Sequence, residues 1–465
     1  MMQTKIAKPN ERIPLNCLIL LCISMIFLSF GVYASDGVTA KDVNNQTNLS
    51  YKILNSIDLA SAELCQSDFS HANLADANLS RAKLRSAWFV GTNLSSASLK
   101  EADLSGAELI SSELNAADLS YADLNRAYIN NTTLKGSNLT GTTLIGSEII
   151  DSDLSFAEHG GSDLRKSNIV NSSLFRAKLN NADLRDAKLY KTNLSGSNLR
   201  GADGTGMTIE DSDLSGADLI GARLVNANMN GIDMKGAYLA NANMQGVRLN
   251  YADLSNSYLY NGEFTRAEIS GADLSKADLG GSDLARTRMM WTDLSGANLN
   301  EVNLDYSDLT GANLTGAALQ RASFANTVVV RAIFRRADMK GIRLNDIKFN
   351  GTDMRESDLR MDNLQDIEFM NVDLSRANLL GATLEGCRLN NVNLTGADLT
   401  GASLKNMILR DVNFRGADLT RLKYDNATIE QIAEGSTNGD INLEGAILGD
   451  DLKNDLIKRK AIGTK

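Results

Sequence analysis

From Leu59 to Ile429 a large apolar residue returns at every fifth position, with a small residue, usually Ala, Ser or Thr, two places before it. Ala72-Asn73-Leu74-Ala75-Asp76, Ala77-Asn78-Leu79-Ser80-Arg81 and Ala102-Asp103-Leu104-Ser105-Gly106 show the unit, and 75 such units follow one another in one frame without an insertion. An amphipathic helix brings its apolar residues round about every 3.6 positions and a half-buried strand about every 2. A period of five fits neither. It requires a chain that turns a corner every five residues and buries each unit by stacking it on the next.

A second, longer period says how many corners close one turn. Every twentieth central residue from Leu59 to Leu419 gives 19 positions, of which 17 are Leu, the exceptions being His159 and Met339. The column from Phe69 to Ile429 also has 19 positions but only 6 Leu, and holds Phe69, Phe89, Ile129, Ile149, Ile169, Ile209, Phe349 and Phe369. β-Branched and aromatic residues suit an extended face. The other sides tolerate tight turns, so four distinguishable sides are readable. With A-(D/N)-L-x-x units over about 80% of its length, the chain resembles the pentapeptide-repeat family. That resemblance implies an all-β fold, a right-handed quadrilateral parallel β-helix in which four pentapeptides make one square coil. The central residue and the small residue two before it point inward. About 19 coils at ~4.8 Å each make a rod on the order of 90 Å long.

Composition supports an unbroken ladder. Both prolines, Pro9 and Pro14, precede the repeat, so nearly every later backbone N–H is free to bond. Residues 1–34 stand apart. Lys5, Lys8 and Arg12 precede an apolar run from Leu15 to Phe30, and Val32-Tyr33-Ala34 places small residues before a cleavage point. This is the order of a secretory signal peptide, with an uncleaved membrane anchor as the alternative. Its removal takes the net charge from −10 to −12. Residues 35–53 read as a linker or N-terminal cap, 54–430 as the repeat, and 431–465 as a C-terminal cap and tail. Leu452, Leu456 and Ile457 there fit one face of a short helix covering the last coil.

Little in the chain points to catalysis. Two histidines, His71 and His159, leave no metal cluster or histidine-based site to build, and the Asp and Asn before most central residues read as turn formers. No catalytic, cofactor or metal residue is assigned. Cys65 and Cys387 lie too far apart along the rod for a disulfide. His159, followed by Gly160-Gly161, and Gly204, in Gly204-Thr205-Gly206, replace central residues and read as locally distorted coils.

Two surface features depart from the polar rule. In the column from Asp68 to Thr428 the residue before the centre is Asp or Asn at 4 of 19 positions, against 14 of 18 in the next column. Trp88, Val90, Ile110, Tyr128, Ile150, Val170 and Tyr190 on that side form a candidate contact strip. Between Arg321 and Arg360 there are nine basic and five acidic residues, and Arg331, Arg335, Arg336, Lys340, Arg343 and Lys348 make a candidate basic belt. The expected function is that of a non-enzymatic, exported rod, periplasmic or secreted, or inner-membrane anchored if its leader is retained. It would act as a scaffold toward a protein partner or a second copy, with no small-molecule substrate and no nucleic acid. The alternative implied by the family is a DNA-mimicking protein that protects DNA gyrase. An export signal, the length and the basic belt count against it.

Overall fold

The computed structural model describes residues 48–461, so the expected signal segment and most of the expected linker lie outside the described residues. The rest is a parallel β-solenoid in which residues 20 apart bridge each other, as Asn73 does Asn93 and Asp253 does Asp273. Coiling has already begun at Asn48, which bridges Asp68, and Leu49 and Leu54 are buried. The sequence hides this start because Lys52 and Ile57, in succession, occupy slots that usually hold a small residue.

One unit shows how five residues make a side and a corner. The central amide donates across to the next coil, Leu74 to the Asn93 carbonyl at 2.7 Å, and the amide of the next small residue returns to the central carbonyl, Ala77 to Leu74 at 3.1 Å. The residue two after the centre is left-handed, Asp76 at φ 58° and Gly106 at φ 65°, as the second central residue of a type II turn demands. The preceding Asp or Asn accepts the amide two residues on: Ser215 donates to Asp213 at 2.7 Å and Ser255 to Asp253 at 2.9 Å. Where Asp is followed 20 residues later by Asn, the carboxylate usually also accepts from that amide, as Asp278 does from Asn298 at 2.7 Å. The acidic surface is therefore largely turn chemistry.

The side centred on Phe69, Phe89 and their successors is the extended one. Seven three-residue strands stack there in order: β1 (Trp88–Val90), β2 (Glu108–Ile110), β3 (Tyr128–Asn130), β4 (Glu148–Ile150), β5 (Asn168–Val170), β6 (Lys188–Tyr190) and β7 (Thr208–Glu210). An extended residue after the centre removes the turn bond, and buried hydroxyls take its place. The slot after each strand holds Thr92, Ser112, Thr132, Ser152, Ser172, Thr192 or Ser212. The Thr92 amide donates to Ser112 Oγ at 3.2 Å and the Thr132 amide to Ser152 Oγ at 3.2 Å, while Thr132 Oγ1 donates to the Leu109 carbonyl at 2.9 Å. Farther along, the same slot holds Ile232, Ala252, Ala272, Thr292 and Ala312, mostly without a hydroxyl, and this side shrinks to single bridges from Asn228 to Val328.

Strands return as β8 (Lys348–Asn350), β9 (Glu368–Asp373), β10 (Arg388–Asn393), β11 (Ser403–Leu404), β12 (Ile408–Asn413), β13 (Asp418–Leu419) and β14 (Lys423–Tyr424). In β9, β10 and β12 the ladder runs on round the corner, with Val372, Val392 and Val412 in register, so no hydroxyl is needed.

The end is closed by two helices. α1 (Asn426–Asn438) is capped by Asp425, which accepts the Thr428 amide at 2.8 Å, and Ile429 lies in this helix rather than in a coil. Gln431 substitutes for the missing next coil: Leu409 donates its amide to Oε1 at 2.9 Å, and Nε2 donates to the Met407 carbonyl at 2.6 Å. That satisfies part of the open edge. β15 (Ile441–Asn442) and β16 (Ile447–Leu448) then rejoin β12 and β13, and α2 (Asp450–Lys458) buries Leu452 and Leu456.

Neither substituted central slot distorts its coil. His159 keeps its amide bond to the Lys178 carbonyl at 2.7 Å and Gly204 keeps its bond to Arg223 at 2.7 Å. At Gly204 a side chain would strike Met207 Sδ, so a large residue in the small slot fills the space left by a small one in the large slot.

Candidate interaction surface

All seven residues of the expected contact strip lie on the β1–β7 sheet, in two outward columns. One runs Val90, Ile110, Asn130, Ile150, Val170, Tyr190, Glu210 and the other Trp88, Glu108, Tyr128, Glu148, Asn168, Lys188, Thr208. The structure therefore gathers Val90 with Ile110, and Ile150 with Val170 and Tyr190, but separates Trp88 from Tyr128 by Glu108. Trp88 is 46% exposed and Tyr190 39%, while the aliphatic members are half-buried against their neighbours. Lys191 Nζ sits 5.0 Å from the Tyr190 ring centroid, and the Tyr128 hydroxyl accepts from Asn130 Nδ2 at 3.2 Å.

The basic belt is mostly neutralised within itself. Arg335 pairs with Asp353 at 2.9 Å, Arg336 with Glu356 at 2.7 Å, Lys340 with Asp338 at 3.0 Å and Lys348 with Glu368 at 2.8 Å. Burial pushes the Asp353 carboxyl up, but hydrogen bonds from Arg355 and Arg335 outweigh it and hold the group at about 2. Among the described residues only Arg331 and Arg343 of the six have no ion pair. The 20-residue repeat explains this: a base in one coil meets whatever acid occupies the same face of the next.

Other exposed aromatics escaped the sequence reading. Tyr121, Tyr251 and Trp291 stand at left-handed corners, and each lies over a glycine one coil on: Gly141, Gly271 and Gly311. A Cβ there would collide with the ring, so the signal was an aromatic followed 20 residues later by Gly. Tyr238 and Tyr258 stack with centroids 5.0 Å apart.

Among the described residues the interior holds two ionisable groups besides cysteine. His159 is fully buried with neither ring nitrogen bonded, and burial pulls its pKa down to about 4. Asp362, 2% exposed, was also missed; its signal was an Asp in a slot that from Ile57 onward otherwise holds only small or apolar side chains. Cys387 is buried and donates Sγ–H to the Leu364 carbonyl at 2.8 Å, while Cys65 is exposed. Among the described residues no group of three or more His, Cys, Asp or Glu is placed to hold a metal, and no helix is long and apolar enough to cross a membrane. One shallow, open depression of about 380 Å³ is lined by Asn131, Asp151, Asn171 and Lys191 among others.

No curated protein matches the chain. Among solved structures it is similar to HetL, a pentapeptide repeat protein involved in heterocyst differentiation regulation from Nostoc sp. strain PCC 7120, at 22% identity over 57% of this chain and 87% of that one, with a TM-score of 0.23. It is also similar to the pentapeptide repeat protein Rfr23 from Cyanothece 51142, at 22% identity over 27% and 88% of the two chains, TM-score 0.19. A third is full-length QnrB1, a plasmid-mediated fluoroquinolone resistance protein, at 17% identity over 50% and 97%, TM-score 0.20. The model of a pentapeptide repeat region matches residues 62–139, and that of pentapeptide repeats matches eight stretches between 122 and 421. With this repeat geometry and these matches across most of its length, the chain belongs to the pentapeptide-repeat family.

Proposed function

We propose that this protein is an exported, non-enzymatic rod that binds a protein partner through the β1–β7 face. The observation that carries the reading is the asymmetry of the sides: three present mainly Asp, Asn, Ser, Thr and Gly, while this one sets Val90 beside Ile110 and Ile150, Val170 and Tyr190 in register ~4.8 Å apart. A row of aliphatic groups ending in an exposed tyrosine, with Trp88 alongside, is the composition of a contact core rather than of a hydrated surface. Turn chemistry accounts for most of the acidic residues. Changing Trp88, Tyr128 and Tyr190 together to Ser is expected to abolish pull-down of the partner from the native compartment while leaving the circular dichroism spectrum unchanged. Equal capture by variant and wild type would sink the reading. Mass spectrometry of the natural protein is expected to find a chain beginning at Ser35; full-length protein recovered from the cytosol would instead favour the gyrase-protecting alternative.

A further inference from the structure

The bridges that tie each coil to the next repeat along four columns, and among the described residues a single one is missing, that between Arg343 and Asn363. Its neighbours in the column, Ser323 with Arg343 and Asn363 with Thr383, are intact. The Leu344 amide lacks the cross-coil bond that Phe324 makes to the Arg343 carbonyl at 2.9 Å and Leu364 to the Thr383 carbonyl at 2.8 Å. The Gly341 amide donates instead to Asp362 Oδ1 at 2.6 Å. Asp362 stands in an inward small slot whose stack reads Ala322, Ile342, Asp362, Ala382. Its second oxygen, Oδ2, is buried without a partner.

The groups that face this carboxyl offer it no cation. Asp338 and Asp358 lie on the adjoining side, and their charges are engaged by Lys340, at 3.0 and 3.7 Å, and by Arg360, at 2.7 Å from Asp358. Arg343 is exposed, and the small-slot neighbours one coil either side of Asp362, Ile342 and Ala382, are buried and apolar, as are the central residues Leu344 and Leu364. An ionised carboxylate in such a place must recruit amides, and the ones in reach belong to the ladder. Burial first, then the charges of Asp358 and Asp338, raise its pKa to about 6 against the bonds it accepts.

We propose that the corner formed by residues 341–346 and 360–366 is a pH-gated joint in the rod, open while Asp362 is ionised and zipped when it is protonated. Opening one corner of one coil leaves the other three columns bonded, so the rod gains a hinge without losing its continuity. The device is independent of which face binds a partner.

Hydrogen exchange of the full chain at pH 7.5 and pH 5, corrected for intrinsic rates, tests it. At pH 7.5 peptides covering 341–347 and 360–366 are expected to exchange at least about tenfold faster than the flanking coils, and at pH 5 that excess is expected to vanish. Asp362→Ala, which restores the residue of Ala322 and Ala382, should remove the excess at both pH values. Asp362→Asn keeps the size and deletes the charge, and should be closed at both. Uniform protection at pH 7.5, the same excess at pH 5, or an open corner in Asp362→Asn would each overturn the proposal, the last by assigning the gap to side-chain bulk.

Discussion

Two stretches of this solenoid carry polar groups in the lumen, with opposite results. Between Thr132 and Ser172 every inward small slot but that of Ala157 is hydroxylic, through Thr132, Ser137, Thr142, Ser147, Ser152, Ser162, Ser167 and Ser172, and a central slot holds His159, yet every bridge is kept. Around Ile342 and Asp362 two oversized residues, one of them charged, stack in one small-slot column, and the bridge between their coils is lost. Polarity by itself does not open the ladder. The hydroxyls have the size of the slot, and those of Thr132, Ser152 and Ser172 also bond backbone at their own extended corners, while those of Ser147, Ser162 and Ser167 are enclosed without a partner; a neutral imidazole fits a central slot built for leucine. A carboxylate does neither.

The two stretches also answer pH in opposite directions. His159 has an ordinary pKa of 6.5 lowered to about 4, so the unfolded chain takes the proton first, and stability falls as pH drops from about 6.5 to about 4. Asp362 has its carboxyl raised from 3.8 to about 6, so its folded form holds the proton longer, and stability falls as pH rises through that range.

The largest expected effect breaks the comparison by placing a charge where nothing can relax to meet it. Leu299→Asp, in a central slot between leucines, should cost about 3–5 kcal/mol in denaturant unfolding; a loss under about 1 kcal/mol would mean that leucines there are not enclosed. Next, His159→Leu should raise the melting temperature, by an amount worth about 3 kcal/mol near pH 4 relative to pH 7, and flatten the acid limb of its pH profile. Variant and wild-type profiles that stay parallel would remove His159 as the cause. Third, Gly204→Leu should cost ~1–3 kcal/mol through collision with Met207. Adding Met207→Ala should recover most of it, and additive losses in that double-mutant cycle would show that the two slots do not share volume. The smallest effect sharpens the role of the hydroxyls: Thr132→Val should cost about 1 kcal/mol, because it removes bonds to the Leu109 and Asn130 carbonyls, whereas Ala312→Ser, in a corner closed by its own turn, should change little.

How far the fold was legible follows from its one-dimensional order. Each coil touches only its neighbours, so inward and outward positions, the extended side and the capped end could be read from spacing alone. The missed start at Asn48 and the reading of Gly204 as a distortion share a cause: the periodic rule fixes which slot a residue occupies, not how neighbouring slots trade volume. The candidate face was legible as a column of β-branched and aromatic residues. Its interruption by Glu108 and Asn130, and the neutralisation of the basic belt, required the register between coils.

By itself the sequence determined the five-residue unit, the four sides and the inward leucine stack, because a periodic chain has one way to bury a periodic apolar column. The tertiary structure alone decided which backbone bonds survive at the irregular slots. That outcome depends on the residues one coil above and below, where Met207 fills the space beside Gly204, Ser152 serves Thr132, and Asp362, with only Ile342 and Ala382 stacked against it, draws the Gly341 amide out of the ladder.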